Sequence, residues 1–206
     1  MSGISSLKRR AKGHLGPPVR FLITLLAVMW AVEVVDLFTA YRFDDWGIRP
    51  RSMWGLVGVV CSPFLHGGFT HLIANTIPLF ILGVVIGLRG LRNLVDVTLI
   101  VGLIGGAAVW LMAPKYASGT QNFAVHIGAS GLVFGYFGYL ITRGFFDKSV
   151  RSLLVGVIVL LTYGGLFWGV LPTDPGVSWQ GHLFGFIAGA IAASTLSKRT
   201  SSFSIE

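Results

Sequence analysis

Six apolar stretches, the fourth of them short and Gly-rich, constrain this chain more than any other feature. They run over residues 19–41, 71–88, 94–112, 129–142, 153–171 and 179–196. A helix needs about 20 apolar residues to cross the hydrocarbon of a bilayer. Backbone amides surrounded by lipid must also be satisfied within their own segment, so stretches of this kind cross as helices. With 53% hydrophobic and only 12% charged residues, against about 25% charged in soluble domains, the chain is expected to be an all-α, polytopic membrane protein. Its core should be a compact bundle of six transmembrane helices. Three parts follow: a flexible basic cytoplasmic arm over residues 1–20, the membrane domain over 21–197, and a short cytoplasmic tail over 198–206.

The formal charge of +8 is a matter of topology and not of nucleic acid, because the basic residues are scattered between apolar runs. Placing the amino terminus in the cytoplasm puts Lys8, Arg9, Arg10, Lys12, Arg20, Arg89, Arg92, Arg143, Lys148, Arg151, Lys198 and Arg199 inside. Only Arg42, Arg49, Arg51 and Lys115 are left outside, so twelve of the 16 basic residues share one side. By the positive-inside rule both termini are therefore expected in the cytoplasm. Spans two, four and six then all enter from the outer face. Cys61 is the single cysteine, which excludes an intramolecular disulfide and a cysteine-built metal site. No cofactor or metal is expected.

Polar residues inside the apolar stretches are the informative exceptions. Glu33 and Asp36 lie in the first, where a carboxylate at mid-depth costs about 2.5–3.5 kcal/mol on insertion scales. They are expected to face protein or the outer interface, with Arg42, Arg49 or Arg51 in reach, either as structural groups or as a proton relay. The connection over 42–70 has an apolar middle, Met53 to Leu65, too short to cross and broken by Gly55, Gly58 and Pro63. It is expected to lie in the interface or to re-enter partway. A turn is expected at Pro172-Thr-Asp-Pro175-Gly176.

The chemistry centres on Gly128-Ala129-Ser130-Gly131 at the head of the fourth stretch. A hydroxyl flanked by small residues stands clear, with bare backbone N–H groups beside it to receive an oxyanion. The same glycines also serve close helix packing in lipid. Three further polar residues sit near the starts of the other descending spans: His71 and Asn75, one helical turn apart on a shared face, and His182. Gly181, Gly185 and Gly189 form a smooth stripe on the sixth span, facing a similar one from Gly131 and Gly135 on the fourth. Ser130 and His182 both border these stripes.

Taken in order, His66-Gly-Gly-Phe-Thr-His71-Leu-Ile-Ala-Asn75, Gly128-Ala-Ser130-Gly131 and Gly181-His182 resemble the rhomboid intramembrane serine proteases. The resemblance covers residues 20–197. It implies Ser130 as nucleophile and His182 as general base, a dyad without a third carboxylate. His71, Asn75 and the backbone N–H of Ser130 would form the oxyanion hole, supported by Gly128. His66 would be structural. Phe134 stands where well-known members stack a tyrosine on the catalytic histidine, and Val57-Gly58 replaces a Trp-Arg pair of the first long loop. His126 matches no assigned role. The resemblance also implies transmembrane protein substrates entering sideways from the lipid bilayer of a bacterial plasma membrane, and it leaves oligomeric state open. Two other readings compete: a proton-coupled carrier using His71, Glu33, Asp36 and His182, and a non-proteolytic adaptor that binds membrane helices.

Overall fold

The computed structural model describes residues 2–117, 122–172 and 177–202, with side chains from residue 15 to 197 within those ranges. Helix α1 spans Ser2–Phe38, and α2 is short, Gly55–Cys61. Helix α3 covers Phe69–Gly87. Helix α4, Leu91–Ile100, continues through a π-helical turn at Val101–Gly105 into α5, Gly106–Met112, so that one rod runs from 91 to 112. Helix α6 is Ser130–Asp147. Helix α7, Val150–Tyr163, ends in a 3-10 segment at Gly164–Val170. The last helix, α8, is Trp179–Ser202. The protein is an all-helical membrane bundle. Segments Leu15–Phe38, Phe69–Gly87, Leu91–Met112 and Val150–Val170 are long and apolar enough to span.

The remaining two long helices, α6 and α8, lie at the centre, and their mutual interface is the most extensive in the molecule. Glycine makes this possible, because side-chain-free positions let helix backbones touch. A Cβ on Gly185 would stand 2.2 Å from the Gly131 carbonyl oxygen, and one on Gly189 would stand 2.0 Å from that of Gly135. The core around this seam combines Leu22 and Met29 of α1, Leu72, Leu79 and Leu82 of α3, and Val133, Tyr136 and Phe137 of α6. Outward faces are apolar as well, with Leu161 81% and Phe145 71% exposed. That distribution suits a lipid surround.

Several expected boundaries shift. The fourth helix runs on past residue 142 to Asp147, because Arg143 Nε donates to Asp147 Oδ2 at 2.8 Å, one turn apart and nearly buried. Residue Lys148 then turns left-handed, φ 50°, and ends it. Helix α1 starts at Ser2, so the stretch expected as a flexible arm is helical, with Pro17 and Pro18 inside it. Lys, Arg, Ala and Leu are good helix formers, and they outweigh the two missing amide donors. The turn expected at 172–176 falls mostly outside the described residues.

Arginine does not pair with the carboxylates of α1. Asp36 Oδ1 accepts from Thr39 Oγ1 at 2.6 Å and from the Phe43 N–H at 2.9 Å, while Glu33, 1% exposed, has no side-chain partner among the described residues and only the Gly68 backbone amide close by. Arg49 instead pairs with Asp45 at 2.6 Å. Arg51 donates to the carbonyls of Leu111 and Ala113, satisfying the end of α5. Asp44 closes over this acidic pocket. Burial first, then the charges of Asp36, Glu33 and Asp45, push its carboxyl up to about 7. Asp44 thus keeps a proton in the fold that the unfolded chain releases near 3.8, so its stabilising effect is complete below that value and is lost as pH rises through about 7. Asp44→Asn is therefore expected to flatten the decline in melting temperature between about pH 5 and 8. Equal slopes for both proteins would reject this.

The far end of the bundle carries a polar network. Arg89 donates to Asp147 Oδ2 at 2.7 Å and to Ser152 Oγ at 2.6 Å. Tyr139 OH accepts from Arg143 and donates to Asn93 Oδ1 at 3.0 Å. Four segments are joined there through one carboxylate, Asp147, and two guanidiniums, Arg89 and Arg143. Asp147→Asn weakens two charge-assisted bonds and is expected to cost about 2 kcal/mol of stability, read as a lower thermal midpoint in detergent. An unchanged midpoint would show the network to be dispensable.

Candidate active site

Helices α3, α6 and α8 begin at the same end of the bundle, and their first turns carry the residues of interest. Gly128 introduces α6 with φ +109°, a left-handed conformation that favours glycine. The Gly128 N–H donates to the Ser62 carbonyl at 2.9 Å. The following Ala129 N–H donates to His66 Nε2 at 3.3 Å. Buried His66 thus acts as an acceptor for the turn. Burial, with the neighbouring His71, pushes its imidazole down to about 4, so the acceptor lone pair persists at neutral pH.

Gly128 also marks where the polar groups of α3 converge. A Cβ there would lie 2.7 Å from His71 Nε2 and 3.8 Å from Asn75 Nδ2. Asn75 Nδ2 spends one hydrogen on the His71 carbonyl, at 3.1 Å, which leaves its second hydrogen for another acceptor. The expected donors His71 and Asn75 therefore stand together beside the backbone two residues ahead of Ser130.

His182 reaches the same region from α8. Its ring stacks on Phe134 with centroids 4.0 Å apart and planes 6° from parallel, so the stack expected of Phe134 is present without a hydroxyl. Phe134 is one turn after Ser130 on the same face of α6. A Cβ on Gly131 would be 3.6 Å from the Gly181 carbonyl oxygen, which sets the starts of α6 and α8 side by side at one level. The His182 Nδ1–H donates to the Gly169 carbonyl at 2.7 Å, since a carbonyl can only accept. Neutral His182 therefore carries its proton on Nδ1 and a lone pair on Nε2.

Gly169 is a contact of His182 that sequence reasoning missed. It belongs to the 3-10 tail of α7, and a Cβ there would lie 2.7 Å from Phe134 Cζ and 3.2 Å from His182 Nδ1. Only a glycine lets that carbonyl come so close. Every residue has a carbonyl, so the one signal available was the glycine-rich run Gly164–Val170. On the other side of Ser130 a cavity of about 50 Å³ is lined by Ser62, His126, Gly128, Ser130, Ser178 and Gly181, among others. It exceeds the roughly 15 Å³ that one water needs. Among the described residues no group of three or more His, Cys, Asp or Glu is arranged to hold a metal.

Comparison with known proteins gives a consistent picture. A family model described as Rhomboid domain matches residues 50–199. Uncharacterized proteins of Mycobacterium tuberculosis (strain ATCC 25618 / H37Rv) and Mycobacterium bovis (strain ATCC BAA-935 / AF2122/97) are each 42% identical over 180 residues, covering 85% of this chain and 74% of theirs. The "Putative rhomboid protease YdcA" of Bacillus subtilis (strain 168) is 29% identical over 192 residues, covering 85% of this chain and 86% of its own.

Proposed function

The chain belongs to the rhomboid family, and from that premise we propose that it is an intramembrane serine endopeptidase, cutting peptide bonds in or near the transmembrane segments of other membrane proteins. The observation that carries this reading is the tautomer of His182. With Nδ1–H held by the Gly169 carbonyl, Nε2 is a base beside the first turn of α6, where the Ser130 hydroxyl stands. Imidazole has an ordinary pKa of about 6.5, suited to taking a proton near neutral pH and giving it back.

In this mechanism Ser130 Oγ adds to the substrate carbonyl carbon as its proton passes to His182 Nε2. The oxyanion receives hydrogen bonds from His71 Nε2–H, the free N–H of Asn75 and the Ser130 backbone, at about 3 kcal/mol per donor. His182 then protonates the leaving amine, and an acyl-enzyme remains on Ser130. A water from the cavity beside Ser130 hydrolyses it with His182 again as base. Because the site needs an extended backbone, it favours segments with helix-weakening residues near their outer end. Both termini lie in the cytoplasm of a bacterial cell on this reading, and the site faces the opposite side.

The test uses purified protein in lipid vesicles with a single-span substrate. Cleavage near the outer end of the span is expected, with complete inactivation by an organophosphonate whose adduct maps to Ser130. Cleavage that survives full modification, or an adduct on another residue, would reject the assignment. Substrate capture without cleavage would favour the adaptor reading, and proton flux without cleavage the carrier.

A further inference from the structure

His126 takes no chemical step in the mechanism above and only lines the cavity that supplies the water, yet it is fastened on two sides. Its backbone is locked to Ile48 by a reciprocal pair of hydrogen bonds, both 2.9 Å. Its ring, 8% exposed, bonds through Nδ1 to Ser178 Oγ at 2.6 Å. Ser178 in turn starts α8. Its Oγ accepts the Gly181 N–H at 3.1 Å, and its carbonyl accepts the His182 N–H at 3.2 Å. The spacing is symmetrical, since His126 precedes Ser130 by four residues and Ser178 precedes His182 by four.

A directional bond at this place supplies what the glycine seam lacks. Touching backbones at Gly131, Gly135, Gly185 and Gly189 limit how closely α6 and α8 approach. A stripe without side chains has no knobs, however, and so resists sliding and rotation of one helix along the other only weakly. Either motion would carry His182 Nε2 away from Ser130. Hydrogen bonds restrict direction as well as distance, and the His126–Ser178 bond acts at the start of α8, one turn from His182.

We propose that His126 is a positioning residue which, through Ser178, holds the start of α8 in register with α6 and thereby sets His182 against Ser130. This rests on the peptidase reading and deepens it. Burial pushes the His126 imidazole down to about 4, so the ring is neutral and the bond intact over the working range of a base near pH 7. The other ring nitrogen, Nε2, is buried without a partner among the described residues, and this permits a clean separation of roles. Asparagine reproduces the position of Nδ1 and lacks Nε2, whereas glutamine places its polar group at Nε2.

His126→Ala and His126→Gln are expected to lower kcat on a single-span substrate by roughly tenfold to a hundredfold, the scale of a misplacement near 1 Å, with KM little changed. His126→Asn should restore most of the rate. Ser178→Thr keeps the hydroxyl and should resemble the unmodified protein, while adding Ser178→Ala to His126→Ala should lower kcat no further than the more impaired single variant. A His126→Ala protein with full kcat and only a lower melting temperature would overturn the proposal, as would an Asn variant no better than alanine. Should alanine prevent folding, the contrast between Asn and Gln decides alone. Organophosphonate labelling keeps the two readings apart. An unmodified protein that is not labelled at Ser130 removes the peptidase reading, whereas equal labelling rates for the unmodified and His126→Ala proteins remove only the positioning role.

Discussion

Alanine at Ser130 or at His182 is expected to lower turnover of a membrane substrate by at least about 10³-fold, and alanine at both to lower it no further. Groups that act as one unit lose their whole contribution when either is removed. The residual rate would come from donors that remain, His71 and Asn75, at their place beside Gly128. His182→Asn gives the sharper test. Asparagine can still offer an N–H to the Gly169 carbonyl, which His182 Nδ1 meets at 2.7 Å, but has nothing at the position of Nε2. It should be as inactive as alanine if the base is Nε2, and substantially active if the ring only props the site. Product release from vesicles, quantified by mass spectrometry, distinguishes the two. A Ser130→Ala protein retaining more than a few per cent of the rate would place the nucleophile elsewhere.

The second large effect concerns a residue that does no chemistry. Gly185→Ala puts a methyl group 2.2 Å from the Gly131 carbonyl oxygen and 3.1 Å from its Cα. Those are backbone atoms inside a helix, so no side chain can swing aside, and α8 must move away from α6. Overpacking of this kind costs about 1–3 kcal/mol. The catalytic loss should be larger than the stability loss suggests, because Gly131 follows Ser130 directly and Gly185 lies three residues beyond His182. A displacement near 1 Å between reacting groups can cost about 10²-fold in rate. Gly189→Ala, with its contact at Gly135 one turn deeper, should destabilise similarly and inactivate less. Comparing kcat with the thermal midpoint for the two variants checks the ordering, and a Gly185→Ala protein of normal activity would deny that the seam controls the dyad.

How much of this was legible beforehand depended on whether a feature is carried by residue type or by the fold. Four of the expected spans followed from apolar length, a property each segment has alone, whereas α6 and α8, richer in glycine and polar residues, are helices whose place at the centre comes from packing against each other. The end of α6 did not, because Arg143 and Asp147 look like loop residues until their charges are seen to pair within the helix. Glu33 and Asp36 were matched with arginines close in sequence. In the fold Arg49 bonds Asp45 and Arg51 the end of α5, and the acids are left with hydroxyl and amide partners. Ser130, His182, His71 and Asn75 stood out because hydroxyl, imidazole and amide groups are rare in apolar helices. Gly169 and the bond between His126 and Ser178 left no such mark, since a carbonyl is common to all residues and that pairing joins positions 52 apart in the chain.

One consequence follows from the source of the Gly169 carbonyl. It belongs to the tail of α7, which rests on the bundle through Phe167 against Phe137 and Phe186 and through Tyr163 and Leu166 against the core. If that tail swings outward to admit a guest, the carbonyl leaves with it, and the imidazole loses what keeps its proton on the far nitrogen. Opening the doorway would then loosen the base, and the site would be best ordered for proton transfer only after the tail has closed again.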